Sequence, residues 1–164
     1  MAITQKCQYA LRALFELARR EGEGPVRIGT VAEAQNIPPR FLEGILNTLK
    51  AGGFVESTRG KEGGYRLLRP ARDISVGDVI RYLQGSLSQV DCDPGSSREP
   101  CGLYGDCVFR PLWERAQKAL ESVYDSTTIQ DFVDRQAERE RCGSPRRSCG
   151  GRDPETPVER GERT

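Results

Sequence analysis

Apolar side chains recur at helical spacing over the first fifty residues. The spacing predicts a helix over about 4–20 and a short second helix over about 29–35. After a tight turn at 36–39, a third helix begins at Pro39 and ends at the two glycines 52–53. Two helices joined by a short turn indicate a helix-turn-helix or an ordinary helical hairpin. The predicted apolar face of the third helix comprises Phe41, Leu42, Ile45, Leu46 and Leu49.

A predicted β-hairpin follows the third helix and decides between these alternatives. Residues 54–57 and 64–68 predict two strands, and the glycine-rich segment 58–63 predicts the turn that joins them. A hairpin directly after a helix-turn-helix is a wing, and the tip of this one carries Arg59 and Lys61. The pattern therefore favours a winged helix-turn-helix, with DNA as the partner.

The second half of the chain predicts helices on either side of a cysteine-containing loop. Capping boxes at 75–78 and 128–131 each begin a helix, and another long helix begins at Pro111. From Arg141 onward almost no apolar residues remain, so a disordered tail is expected. The predicted fold is mainly α with a small β-hairpin wing: a winged helix-turn-helix domain at 1–85, the cysteine loop at 86–110, a dimerisation helix and C-terminal helix at 111–140, and the tail at 141–164.

The long helix after the loop carries its own apolar stripe. Such a stripe either packs against its own domain or pairs with a second copy of the chain. DNA readers of this type usually need two-fold symmetry, which favours a homodimer on a pseudo-palindromic operator. Trp113 and Leu120 are expected in the seam of that dimer. The whole stripe is Leu112, Trp113, Ala116, Leu120 and Val123.

Composition narrows the class further. The 164 residues have a net charge of +1, but residues 1–90 hold 13 Lys/Arg against 9 Asp/Glu, a basic bias that suits DNA binding. No apolar run is long enough to span a membrane and no signal peptide is visible, which predicts a cytoplasmic protein with reduced thiols. The chain has no histidine, and no catalytic arrangement is visible, so an enzyme is not expected.

The loop at 86–110 holds the candidate chemistry. Cys92, Cys101 and Cys107 are separated by eight and five residues in a segment without helical or strand periodicity. Soft thiolates in an irregular loop favour an iron–sulphur cluster, whereas structural zinc prefers closely paired ligands. Metal-free thiol sensing remains an alternative, and the regulator could also be controlled by a protein partner. The roles of Cys7, Cys142 and Cys149 stay open.

Six cationic or acidic side chains are predicted to contact DNA. Arg40 and Glu43 lie early in the third helix, where a recognition helix presents residues to guanine and cytosine edges. An acid is also favourable there simply because it lies in the first turns of a helix. Lys50, Lys61 and Arg66 are predicted to contact phosphates. Arg59 completes the set at the wing tip.

Four segments of this chain resemble the Rrf2 family of winged-helix transcription regulators. They are KCQYALRALFELA at 6–18, IPPRFLEGILNTLKAGG at 37–53, RGKEGGY at 59–65 and ISVGDVI at 74–80. The resemblance covers residues 1 to about 138 and implies a homodimeric DNA-binding protein, usually a repressor. It also implies that Arg59 enters the minor groove.

The same resemblance implies an iron–sulphur cluster, of the 2Fe–2S or 4Fe–4S type, on Cys92, Cys101 and Cys107. The first cysteine interval is longer than the five residues common in the family. Gln8 stands where one branch of the family has an acidic ligand. With no histidine in the chain, the fourth ligand is another cysteine, a carboxylate such as Asp91, Asp93 or Asp106, an amide or a small molecule.

Overall fold

The computed structural model of the chain describes residues 3–60, 63–85 and 106–142. In these ranges the chain forms six α-helices and one small two-stranded sheet, which confirms the predicted fold class. Strands β1 and β2 lie between the third and fourth helices and form an antiparallel hairpin. The elements are α1 (Gln5–Arg19), α2 (Ile28–Gln35), α3 (Pro39–Ala51), β1 (Val55–Thr58), β2 (Gly64–Leu67), α4 (Val76–Gln84), α5 (Arg110–Ser126) and α6 (Ile129–Arg141).

Helix α1 lies at the centre of the core. The Thr4 side chain accepts a hydrogen bond from the Cys7 amide at 3.3 Å and caps the first turn. The buried face of α1 includes Ala10, Ala13, Leu14 and Leu17, and the helix packs against α2, α3, α4 and α6. The helical spacing predicted from the sequence is thus the spacing that builds the core.

The turn between α2 and α3 has the geometry of a helix-turn-helix. Asn36 ends α2 in the left-handed region, with φ of 49°, a conformation that asparagine tolerates. Most of the predicted α3 face is buried, namely Leu42, Ile45, Leu46 and Leu49. Phe41 is the exception, because it is 64% exposed at the edge of the stripe, about a quarter turn from its centre. Phe41 therefore belongs to the edge of the predicted apolar face and lies outside the buried core.

The wing is attached to the start of α2 as well as to α3. Val26 pairs with Tyr65 through two backbone hydrogen bonds of 2.8 Å, so a third extended segment borders β2. A Cβ at position 64 would lie 2.5 Å from the Val26 carbonyl oxygen, so this approach requires Gly64. Gly60 turns the chain at φ of 109°. The two glycines of the wing therefore have different roles: Gly60 turns the chain, and Gly64 allows the close approach of Val26.

Helix α6 folds back onto α1 instead of extending away from it. Thr128 and Asp131 form both hydrogen bonds of the predicted capping box, and the Ile129 amide donates to the Ile74 carbonyl at 3.0 Å. The helix continues to Arg141, the first residue of the range predicted as a tail. Cys142 follows as the C-cap and is disulfide-bonded, and residues 143–164 lie outside the described ranges. No helix within the described ranges is long and apolar enough to cross a membrane.

Candidate nucleic-acid interface and cysteine region

The outer face of α3 presents two of the predicted DNA-reading side chains. Arg40 and Glu43 are both exposed, and their spacing of three residues places them on one side of the helix. The opposite side of α3 is held in the core by its buried leucines and isoleucine. Phe41 is exposed in the same turn. The helix therefore offers a rigidly anchored polar face with one large apolar side chain.

The wing lies beside the first turn of α2. An open cleft of about 720 Å³ separates them, and its lining includes Arg27, Thr30, Ser57 and Arg59. The Lys50 ammonium donates to the Ser57 hydroxyl at 2.6 Å, which joins the end of α3 to β1. The start of α2, the end of α3 and the wing thus form one connected surface.

The predicted phosphate contacts differ in their surroundings. Lys50 and Arg59 are exposed, and Lys61 lies outside the described residues. Arg66 is exposed but already engaged, since its Nε donates to the Glu56 carboxylate across the hairpin at 2.6 Å. The structure therefore brings Lys50 and Arg59 to the same surface and gives Arg66 a structural partner.

Three further residues lie near the predicted DNA contacts and were missed by sequence reasoning. Arg27 is the N-cap of α2, which is the end that meets phosphates in helix-turn-helix proteins. Lys6 and Phe41 line a cavity of about 340 Å³ between α1 and α3, together with Arg40. Only the position of Arg27, directly before a predicted helix, could have been recognised from the sequence.

One of the three loop cysteines lies in the described part of the chain. Cys107 is a free, half-buried thiol, and its carbonyl accepts from the Arg110 amide at 3.1 Å, which fixes it to the first turn of α5. Cys92 and Cys101 lie outside the described ranges. Within those ranges no three acidic or cysteine side chains are grouped as metal ligands would be.

Cys7 is buried where four helices meet. It packs with Val76 and Ile80, and Tyr124 and Phe132 close the same cluster. Burial raises the pKa of the Cys7 thiol above its ordinary value. The residue therefore has the environment of a small apolar side chain, because its neutral form is favoured there.

Helix α5 leaves its apolar stripe open. None of its residues is buried within the chain. Leu112 and Val123 are 53% and 59% exposed, whereas Trp113 is 36% exposed and Leu120 is half-buried. Phe109, at the N-cap, is 60% exposed and extends the stripe. The centre of the open stripe is therefore nearer Leu112 and Val123 than the predicted seam residues.

The C-terminal end of α5 is fixed to α4. The Arg81 guanidinium donates to the Asp125 carboxylate, with Nη1 at 2.7 Å, and the Val76 amide donates to the Thr127 carbonyl at 2.9 Å. Gly77 makes this approach possible, because a Cβ there would meet the Asp125 carboxylate. The other end of α5 is the end that follows Cys107.

A helix-turn-helix with an adjoining wing and exposed cations defines a winged-helix DNA-binding protein. The family model for Rrf2, described as "Iron-dependent Transcriptional regulator", matches residues 3–135. The chain belongs to the Rrf2 family. It is therefore a DNA-binding transcription regulator, and the family and its relatives are regulators, not enzymes.

The sequence of the chain matches those of curated relatives over most of their length. The chain is 37% identical over 133 residues to the transcriptional regulator CymR of Bacillus subtilis, covering 81% of this chain and 90% of that protein. It is 33% identical over 133 residues to protein rrf2 of Nitratidesulfovibrio vulgaris, covering 81% and 87%.

Solved structures of the family share the fold. CymR, described as the global cysteine regulator of B. subtilis, has a TM-score of 0.70 at 35% identity, with 82% of this chain and 98% of that chain covered. IscR of T. potens has a TM-score of 0.68 at 35% identity, with 85% and 91% covered.

Proposed function

We propose that this regulator acts in the cytoplasm as a homodimeric repressor, reading a pseudo-palindromic operator through α3 and the wing. The observation that carries the proposal is the exposure of Arg40 and Glu43 on α3, whose opposite face is buried in the core, together with the exposure of Arg59 in the wing. Arginine can pair bidentately with guanine, and glutamate can accept from the cytosine amino group. Lys50, Lys61 and Arg66 contact phosphates, which position the protein without reading sequence.

A second copy of the chain covers the open stripe of α5. Leu112 and Val123 lie at the centre of the pair, with Trp113 and Leu120 at its edge. Support comes from the exposure of these apolar side chains and from the absence of any buried residue in α5. A two-fold axis through this helix pair gives two reading heads, and their half-sites are separated by about one helical turn of DNA or a multiple of it.

Cys92, Cys101 and Cys107 hold an iron–sulphur cluster of the 2Fe–2S or 4Fe–4S type in this proposal. The free, half-buried Cys107 thiol suits such a group, because clusters are held by cysteine thiolates. The family's description as iron-dependent supports the same assignment. When bound, the cluster would supply a centre sensitive to oxygen, nitric oxide or cluster supply. The fourth ligand is another cysteine, a carboxylate, an amide or a small molecule. Of the candidate carboxylates, Asp106 lies in the described part of the chain and is exposed.

The contacts of α5 give this site a route to the DNA-binding surface. Cys107 is hydrogen-bonded into the first turn of α5, while Asp125 in its last turn pairs with Arg81 of α4. A change in how the loop cysteines are held can therefore shift α5 relative to the reading head. Regulation then follows from a change in the population of two head orientations.

Metal-free thiol control is the second candidate. A relative in this family, CymR of Staphylococcus aureus, has a structure described as its oxidised form, at 32% identity and a TM-score of 0.64. Cys107 is free and half-buried, so it can also take part in thiol oxidation. Control by a protein partner belongs to the same metal-free class.

Replacement of the wing arginine tests DNA reading. Arg59→Ala is expected to weaken operator binding by about 1–3 kcal/mol, because a contact to a base edge or narrow groove is lost. Melting temperature and dimerisation should not change, since Arg59 is exposed. The control is Arg72→Ala, which removes an exposed arginine that follows the wing in the sequence. Equal affinities of Arg59→Ala and wild type at physiological salt would contradict the wing contact.

Iron and sulphide analysis tests the switch. Anaerobically purified wild type is expected to contain both elements and a visible absorption band. Cys92→Ser, Cys101→Ser and Cys107→Ser should each lose the band and change operator affinity without loss of the dimer, whereas Cys149→Ser should keep it. If iron-supplemented wild type contains neither iron nor sulphide, metal-free control replaces the cluster and the DNA-binding proposal is unaffected.

A further inference from the structure

A second concave site lies between α1 and α6, on helices that the proposed DNA and dimer surfaces do not use for their central contacts. Its volume is about 380 Å³, within the range of small-molecule sites. Leu11 and Phe15 of α1 and Phe132 of α6 supply its apolar lining, and all three are only half-buried. The cavity therefore offers room and an apolar surface for a compact organic ligand.

Three arginines surround this apolar lining. Arg12 comes from α1, and Arg135 and Arg139 come from α6, where Phe132, Arg135 and Arg139 share one face at spacings of three and four residues. None of the three is ion-paired to an acidic side chain in the described ranges. Among the residues that the structure describes, no acidic side chain lines the cavity. The site therefore has a positive rim without internal neutralisation.

Glu16, the nearest buried acid, is already hydrogen-bonded to other side chains. Glu16 is 1% exposed, and its carboxylate accepts from Arg20 at 2.7 Å and from the Gln35 amide nitrogen at 2.8 Å. The Gln35 carbonyl oxygen in turn accepts from Arg12 Nε at 3.5 Å. This chain of hydrogen bonds holds Gln35 and Arg12 at the cavity wall, while Glu16 stays behind them.

We infer that this cavity binds a small amphipathic anion, with an apolar body against Leu11, Phe15 and Phe132 and one carboxylate or other acidic group at Arg12, Arg135 and Arg139. Guanidinium groups pair well with planar carboxylates through charge-assisted hydrogen bonds. Because the ligand contacts both α1 and α6, its binding favours the arrangement in which these two helices are packed together.

Two fluorescent probes that share the anilinonaphthalene skeleton and differ by one sulfonate group test this inference on the full-length protein. The anionic probe is 8-anilinonaphthalene-1-sulfonate, and the neutral one is N-phenyl-1-naphthylamine. The double variant Arg12→Gln/Arg139→Gln is expected to weaken binding of the anionic probe by about tenfold or more, with little change for the neutral probe. The control is Arg141→Gln, an exposed arginine of the same helix that does not line the cavity.

Competition identifies the ligand chemistry. 4-Phenylbutyrate should displace the sulfonate probe from wild type, whereas 4-phenylbutanol should not. Because Arg12, Arg139 and Arg141 are all exposed, the double variant and the control should keep the wild-type melting temperature. The inference is overturned if the sulfonate probe does not bind, if the double variant binds it as wild type does, or if the alcohol competes as well as the acid.

Discussion

Helices α3 and α5 carry apolar stripes of the same kind, but only α3 closes its stripe within the chain. The stripe of α3 is buried against α1 and its neighbours. The stripe of α5 has no buried residue, and its most exposed apolar members are Leu112 and Val123. Helical periodicity thus shows that a helix has an apolar face to cover, but it does not show which molecule covers it.

This contrast separates two kinds of stability. The α3 stripe belongs to the fold of one chain, so its contribution is independent of protein concentration. The α5 stripe contributes only when a second copy is bound, and by mass action that contribution rises with concentration. The two helices can therefore be distinguished by one type of measurement.

The largest expected effect is loss of core packing in α3. Leu46→Ala should lower the free energy of unfolding by about 2–5 kcal/mol, because Leu46 is fully buried and its truncation leaves a cavity. Urea denaturation at several protein concentrations measures the loss. The same loss should be found at each concentration, since one chain supplies all of the packing.

The matched substitution in α5 is Leu112→Ala, at a leucine that is 53% exposed. Its cost should grow with protein concentration, because the dimer supplies the missing contacts. A cost of about 2–5 kcal/mol at every concentration would mean that Leu112 packs within its own chain, and the contrast between the helices would fail.

A charge in the open stripe should have the next largest effect. Leu112→Glu is expected to weaken dimerisation by about 1–3 kcal/mol, since a carboxylate in an apolar seam is costly to bury. Trp113→Glu should act in the same direction but less strongly, because Trp113 is less exposed. Sedimentation at micromolar concentration measures the shift from dimer to monomer.

The control for this pair is Lys118→Glu, which places the same carboxylate at an exposed position on the side of α5 opposite the stripe. It should leave the dimer intact. If wild type sediments as a monomer with and without DNA, the proposed use of α5 is wrong.

Local signals in the sequence predicted most of the fold. The Thr128–Asp131 capping box is made by residues three positions apart, and Pro39 and Gly52 mark the ends of α3 as expected. Because such features depend only on residues close together in the chain, they can be recognised from a single sequence. The Rrf2 family was recognised from the same local segments, and the family model confirms it.

Tertiary features were harder to predict. Glu16 was not expected in the core, because its burial depends on Gln35, nineteen residues away in the chain. The exposure of Phe41 could not be read from periodicity, since a residue at the edge of a stripe can face either way. The return of α6 onto α1 is likewise a long-range contact.

The smallest expected effect lies at the joint between the two regions. Gly77→Ala should displace the Asp125 carboxylate and break its half-exposed pair with Arg81, which costs at most about 1 kcal/mol. Removal of a helical glycine contributes up to about 1 kcal/mol in the opposite direction. The free energy of unfolding should therefore change by less than about 1 kcal/mol.

Operator affinity is the sharper measurement for this joint, because Asp125 connects α5 to α4, the helix that follows the wing. Gly77→Ala and Arg81→Gln should both change affinity, since both loosen the same pair, while the melting temperature stays near that of wild type. Arg115→Gln, at an exposed position on α5 away from α4, should change neither. If both joint variants bind the operator as wild type does, the angle between α5 and the reading head is set by other contacts, and the proposed route from Cys107 to the DNA-binding surface does not pass through Asp125.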